Sequence, residues 1–286
     1  MNTLNVLRTS LLDLLWELRD TDITIIIGGG YGIFLKTAYV NEHRIRTLLN
    51  ERPESRSTND LDLFLRPELL IHSEKLKPLS AAIEKLGYKV VETARAYQFI
   101  KSDSNGKGGI KIDFLTGPQS CFQGTKAKTD GRRVRPNPSI GLHAHPVDEA
   151  PTFEDSLLTL KVSGILSTGN AWDWEVFLPH PFSFLMMKLF AFRDRLTDES
   201  KEFSRYHALD LYSIISTTSE EEWNAFAAFR KRLGAEPHFK ESGAIVEEYF
   251  SAKNKAGIIR MRESRYYRPD LQLDEFISIM KETFHS

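Results

Sequence analysis

Two aspartates one residue apart, Asp60 and Asp62 in Asn59-Asp60-Leu61-Asp62-Leu63-Phe64-Leu65, are the residues whose types and spacing most directly suggest chemistry. On a β-strand alternate residues share a face, so the two carboxylates stand side by side. A third acid, Asp113, sits in Ile110-Lys111-Ile112-Asp113-Phe114-Leu115, a segment with the same alternation. Two like charges about 4 Å apart repel by roughly 4 kcal/mol at an effective dielectric of 20. A fold that converges three such acids needs a cation to offset that cost, and Mg²⁺ with phosphate ligands is the usual one. Upstream, Ile25-Ile26-Ile27 runs into Gly28-Gly29-Gly30. Glycines between a strand and a helix let backbone amides approach a phosphate; they also make a plain tight turn, and both readings stand. No Gly-Lys-Ser/Thr follows, so this is not a P-loop. Leu35 occupies the place of the third glycine of a dinucleotide fingerprint.

The elements that must position these residues follow from periodicity. Leu4, Leu7, Leu11, Leu12, Leu15 and Leu18 predict an amphipathic helix over 4–19. Ile23–Ile27 reads as a buried strand, 31–50 as a helix, 51–59 as a polar, turn-rich connection and 60–65 as the acid-bearing strand, ended by Pro67. A helix over 73–86 closes at Gly87. Strands are expected at Tyr88–Glu92, Ala96–Ile100 and Ile110–Leu115, with Ser102–Gly109 as a hairpin turn, and at Leu157–Val162 and Glu175–Leu178. From Pro181 the pattern becomes helical: Phe182–Leu196, Tyr206–Ser216, Glu220–Leu233, Gly243–Ser251 and Leu271–Phe284. This order predicts an α+β fold, with a mixed β-sheet domain and flanking helices over 1–180 and a helical bundle over 181–286.

Composition narrows the classes. The chain has 286 residues, 41% apolar and 27% charged, as an ordinary globular protein does. A net charge of −1 gives no global field toward nucleic acid or anionic lipid. Nucleic-acid contact must then come from a local patch. The cluster Lys126, Lys128, Arg132, Arg133 and Arg135 is the candidate, and a solvated loop is the alternative. A single cysteine, Cys121, excludes an intrachain disulfide and a thiolate zinc cluster. The N-terminal segment is interrupted by Arg8, Asp13 and Glu17, and no apolar run reaches transmembrane length. The expectation is a cytoplasmic protein without a membrane partner. His143 and His145 lack a Cys or acid at metal-ligand spacing and read as structural or surface residues. Trp172 and Trp174 are expected to pack the junction between domains.

Residues 182–192 are apolar nearly all round, which predicts a central helix. Lys188 in its middle is costly to bury unless an anion is near. Arg195 lies two turns further on, on the same face. Spacing alone leaves two readings open: a basic stripe that meets a triphosphate, or Lys188 paired with a core carboxylate such as Asp210.

The Gly-Gly turn after a strand, Asp60-Leu61-Asp62 on the next strand and the later Lys111-Ile112-Asp113-Phe114-Leu115 resemble the nucleotidyltransferase fold of the DNA polymerase beta superfamily. The stretch Arg56-Ser57-Thr58-Asn59-Asp60-Leu61-Asp62 is similar to one branch, the AbiEii/AbiGii toxin-type nucleotidyltransferases with the MenA/MenT-like toxins. That branch also carries a later Lys on a helix, an Arg a few residues on and an Asp on the next helix. Lys188, Arg193 to Arg195 and Asp210 stand in the matching places. The likeness runs patchwise over residues 20–215. Two departures stand out: the span from Gly30 to Asp60 is long, and Tyr206-His207 replaces the Lys-Asp that often precedes the final Asp.

The resemblance implies an enzyme that moves a nucleoside monophosphate from an NTP to an acceptor. It implies Mg²⁺ at a two-metal site, or Mn²⁺, held by Asp60, Asp62 and Asp113. Gly28, Gly29, Gly30, Ser57, Thr58, Lys188, Arg195 and Asp210 would contact the nucleotide, with Lys188 also catalytic and Asp210 orienting it. The acceptor implied is tRNA or another RNA, or a protein, in a toxin–antitoxin or phage-defence system with a cognate antitoxin. A small-molecule, antibiotic-type nucleotidyltransferase and a non-catalytic NTP-binding module are the competing readings.

Overall fold

The computed structural model describes residues 3–54, 58–94, 96–102, 109–198 and 202–285. Ser57 and the expected hairpin turn at 103–108 lie outside them. Among the described residues the chain runs α1 (Thr3–Leu18), β1 (Ile25–Ile27), α2 (Gly29–Glu42), β2 (Asp60–Leu65), α3 (Pro67–Ile71), α4 (Ser73–Lys85), β3 (Lys89–Val90), β4 (Gln98–Ser102) and β5 (Gly109–Thr116). Then come β6 (Lys128–Thr129), β7 (Val134–Arg135), β8 (His145–Pro146), β9 (Leu158–Ile165) and β10 (Ala171–Leu178). The helices α5 (Pro181–Asp194), α6 (Glu202–Ser216), α7 (Glu220–Leu233), α8 (Pro237–Tyr249), α9 (Ala256–Arg262) and α10 (Leu273–Phe284) follow. The architecture is α+β. Two compact units divide the chain: Met1–Gly32 with Ser57–Pro179, and Ile33–Arg56 with His180–Ser286. Residues 33–56, expected in the N-terminal domain, thus count with the C-terminal unit.

The first unit is built on a mixed sheet in the order β3-β4-β5-β2-β1-β10-β9, with β8 also paired to β5. β2 runs antiparallel to β1 and parallel to β5. Alternation decides the faces. Leu61, Leu63, Ile112 and Phe114 are fully buried on one of them. By register that face continues to Val162, Gly164 and Trp172. It is covered by α1: a Cβ at Gly164 would lie 2.8 Å from Leu12. The acids occupy the opposite face. Removing that much apolar surface from water, at ~25 cal/mol per Å², is what fixes the register. Trp172 stacks on Trp174 and meets Trp16 of α1 edge-on, at centroid distances of 5.0 and 5.3 Å. The tryptophans therefore close the end of α1 inside the first unit and not a junction between domains.

The second unit is helical. Phe182 packs on Phe226, Phe229, Phe239 and Phe284 with centroids 4.9–6.2 Å apart. α7 opens on a capping box between Ser219 and Glu222, and Glu222 also pairs with Lys36 of α2. The helix expected over 31–50 stops at Glu42. Arg44 takes a left-handed φ of 52°, and the chain then extends, with Thr47 bridging Ser219 and Leu48 N–H donating to the Thr218 carbonyl. Pairing with the segment before α7 overrides the helical spacing of Ile45, Leu48 and Leu49. The short helices α3 and α9 were not legible as separate elements. Among the described residues no helix is long and apolar enough to cross a membrane.

Candidate active site

Register builds the candidate site. In the parallel β2–β5 pair Asp62 is the direct partner of Asp113, and Asp60 that of Lys111. The two neighbouring acids share a face, and Asp60 stands one pleat repeat along. All three are half-buried. Across β5, Gln98 of β4 is the partner of Asp113 and hydrogen-bonds to its side chain.

The glycine turn closes the other side. Gly28 N–H donates to the Asp62 carbonyl at 2.8 Å, and its carbonyl accepts from Gly32 N–H at 2.9 Å, which starts α2. Gly29 has φ +59°, and a Cβ there would lie 1.6 Å from Asp62 Oδ2. Glycine is therefore required at Gly29 twice, by the backbone and by the carboxylate packed on it. The first amides of α2, from Gly29 and Gly30, belong to the turn of a helix that has no intrahelical acceptor. Their partial positive charge suits an anion.

The electrostatics match this crowding. Burial, then the Asp62 charge, pushes the Asp113 carboxyl up to about 7; the Asp60 charge adds to this, while the Gln98 hydrogen bond and Lys111 oppose it. Asp113 Oδ1 is buried and accepts no hydrogen bond among the described residues. Carboxylate oxygens are the hard donors that Mg²⁺ or Mn²⁺ takes, and an acceptor in that position fits such an ion. As the side chains stand, no group of three or more His, Cys, Asp or Glu among the described residues forms a ready metal cluster. The expected full convergence of three acids is thus not preassembled: strand alternation sets Asp60 a pleat repeat from the in-register pair.

Thr58 is buried at the entry to β2. In the second unit Lys188 of α5 and Asp210 of α6 form a buried ion pair, Nζ to Oδ2 at 2.8 Å. Both readings of Lys188 include this contact, since a lysine held by Asp210 can be a core pair or an oriented ligand. Arg195 departs from its expected place. α5 ends at Asp194, so Arg195 caps the helix instead of extending the Lys188 stripe. It is exposed, with Asp198 at 3.6 Å and Phe203 under its guanidinium. Sequence reasoning missed Gln98, whose approach to Asp113 follows from antiparallel pairing and from no local motif.

No protein-family model matches the chain, and no curated protein matches it in sequence. Among solved structures, it is similar to the solution structure of the antibiotic-resistance factor ANT(2'')-Ia, with 17% identity over 83% of this chain and 97% of that one and a TM-score of 0.37. It is also similar to the crystal structure of an antigenic nucleotidyltransferase-like protein from Paracoccidioides brasiliensis, with 16% identity over 81% of this chain and 90% of that one and a TM-score of 0.40.

Two outcomes are expected. Asp113 is a carboxyl whose folded pKa lies above its unfolded value, so the fold binds the extra proton between about pH 4 and 7. Stability of the cation-free protein should fall as pH rises through that window and level off above it. Asp113→Asn should flatten the dependence and gain, at pH 8, part of the ~4 kcal/mol that three pKa units represent; denaturant melts at pH 5 and 8 measure this. Asp210→Ala, which leaves Lys188 buried without its carboxylate, should cost about 3–5 kcal/mol, and the double variant Lys188→Met/Asp210→Leu should regain most of it. A double variant no more stable than the single would show that the pair is not the source of the loss.

Proposed function

We propose that the chain is a metal-dependent nucleotidyltransferase that moves a nucleoside monophosphate from an NTP to an RNA acceptor, in the manner of the toxin-type enzymes its motifs resemble. The carrying observation is the Asp62–Asp113 register with the Gly28–Gly30 turn closed on Asp62. The resemblance of the Gly-Gly turn, Asp60-Leu61-Asp62 and Lys111-Ile112-Asp113-Phe114-Leu115 to the polymerase beta superfamily supports the same reading. The acidic face, opposite the apolar face under α1, offers three carboxylates to a divalent ion.

Asp60 and Asp62 would hold Mg²⁺ or Mn²⁺ on the NTP phosphates, with Asp113 beside a second position. When bound, the ion supplies charge neutralisation at the phosphates and Lewis acidity at the α-phosphoryl group. The amides at Gly29 and Gly30 face the terminal phosphates, and Thr58 supports the turn into β2. Asp113, beside that second position, takes the proton of the attacking hydroxyl. The hydroxyl oxygen bonds the α-phosphorus in line, the bond to the bridging oxygen breaks, and pyrophosphate leaves with that electron pair. The resemblance implies a phosphate contact for Lys188, which Asp210 orients within the second unit. Arg195 is kept as the nucleotide contact that the resemblance implies, exposed at the end of α5 with Asp198 at 3.6 Å.

An RNA acceptor is favoured over a cationic small molecule by the basic segment Lys126–Arg135 in the same unit as the acids. Toxicity follows if the modified RNA is essential to translation, and a cognate antitoxin would then be its partner.

The test is to incubate the protein with each α-labelled NTP, Mg²⁺ and total RNA, and to follow the label. RNA should take it up. Asp62→Asn should lower the rate at least 100-fold with a melting temperature no lower than that of the wild type, since it removes a charge that repels Asp113, and Gly29→Ala should do nearly as much by displacing the Asp62 carboxylate. Full transfer by Asp62→Asn would sink the assignment. Growth arrest on induction that disappears with the same variant would support the toxin role.

A further inference from the structure

The acid face continues past Asp113 to residues with no part in the site above. β8 pairs in parallel with β5, His145 beside Leu115 and Pro146 beside Thr116. Phe64 of β2 holds the other edge of Leu115, so β8 takes the edge that β4 leaves at Gln98. Partners in register share a face. His145 thus stands on the face of Asp113, one strand over and one pleat repeat along, a diagonal of about 7–8 Å.

His145 Nδ1 lies 2.7 Å from the carbonyl oxygen of Arg132. A carbonyl only accepts, so Nδ1 carries the proton of this hydrogen bond, which orients the ring. The Tyr97 ring is 5.4 Å from the imidazole at 40°, and both rings are half-buried. The next strand out follows the same rule. Val134 of β7 bridges Ala144 with both side chains buried. One residue on in each direction, continuing that bridge sets Arg133 opposite His145 in the chain. Arg133 is held by Asp130 at 2.6 Å. Between Gly124 and Val147 Asp130 is the sole acid against five Lys and Arg.

We infer that Tyr97, His145 and Arg133 form the acceptor subsite and that it takes the end of a single-stranded RNA. Tyr97 and His145, tilted at 40° to one another, each offer a ring face on which a terminal base can stack, and stacking of this kind accepts any base. Arg133 and the β6–β7 hairpin meet the phosphates behind it. The terminal ribose then lies toward Asp113. This deepens the transferase reading and rests on it for the direction of the RNA end, but RNA binding itself can be measured without transfer.

The experiment pairs two measurements on the full chain: fluorescence anisotropy of a labelled single-stranded RNA with a free 3′ hydroxyl, and NMP transfer to that RNA. Tyr97→Ala and His145→Ala should each weaken RNA binding about tenfold. Arg133→Gln should weaken it several-fold and lower the slope of log Kd against log salt by about 0.7. NTP binding, followed by thermal shift, should stay within twofold in all three. Asp130→Asn breaks the hairpin ion pair but keeps the cation, so RNA affinity should survive it; loss there equal to that of Arg133→Gln would reduce Arg133 to a structural role and overturn its assignment. Unchanged RNA affinity in the three variants overturns the subsite even if the wild-type chain labels RNA, as does wild-type protein that binds no RNA. Binding that the variants lose, without labelling by the wild type, keeps the subsite and removes the transferase reading.

Discussion

The parallel register that sets Asp62 against Asp113 is the constraint on which the first unit depends. It holds two half-buried carboxylates on adjacent strands, a repulsion that the rest of the sheet must offset. The offset comes from the opposite face, where Leu61, Leu63, Ile112 and Phe114 are removed from water. Each buried side chain of this size contributes about 1.5–3 kcal/mol, enough together to outweigh one strained acid pair. A parallel pair also demands a crossover. Here residues 66–108 provide it through α3, α4 and the β3–β4 pair, and the returning β4 delivers Gln98 to Asp113.

The same constraint explains the glycine turn. β1 is antiparallel to β2, so the chain leaving Ile27 passes over Asp62, and the Gly28 amide bonds the Asp62 carbonyl. A side chain at Gly28 would strike Phe64 and one at Gly29 the Asp62 carboxylate. The turn is short of side chains because an acid and an aromatic ring already fill the space. An open approach for phosphate oxygens is a consequence of the same geometry.

Much of the first unit was legible in the sequence because β-strands write their faces as alternation. Asp60-Leu61-Asp62-Leu63 and Ile110-Lys111-Ile112-Asp113 could be placed on strands, and their acids on one face, without coordinates. Local pattern could not say that Asp62 would be the partner of Asp113 while Asp60 faces Lys111, because register is set by long-range pairing. It could not find Gln98 for the same reason. Helical spacing failed at residues 43–50, where a bridge from Thr47 to Ser219 outweighs propensity, and at Arg195, where the helix ends before the face repeats. Lys188 shows the limit from the other side. A lysine among apolar residues announces an anion, but the Asp210 carboxylate and a nucleotide phosphate satisfy that requirement equally well.

Alternation also ties the chemistry to the stability. A slip of one residue between β2 and β5 would bury Asp60 and Asp62 under α1 and turn Leu61 and Leu63 to the acid face. The fold can keep its core only in the register that also assembles the acids. That rule extends outward along the sheet. His143 and His145 look alike in sequence, two residues apart in an extended run. His143 is 7% exposed, while His145 lies more open beside Leu115, oriented by the Arg132 carbonyl. The bridge between buried Val134 and buried Ala144 is what brings Arg133 beside the segment that carries His145. Which basic and aromatic residues of a solvated loop could meet an acceptor is therefore decided by how β7 and β8 dock on β5, and that docking is governed by the burial of small apolar side chains rather than by the charges themselves.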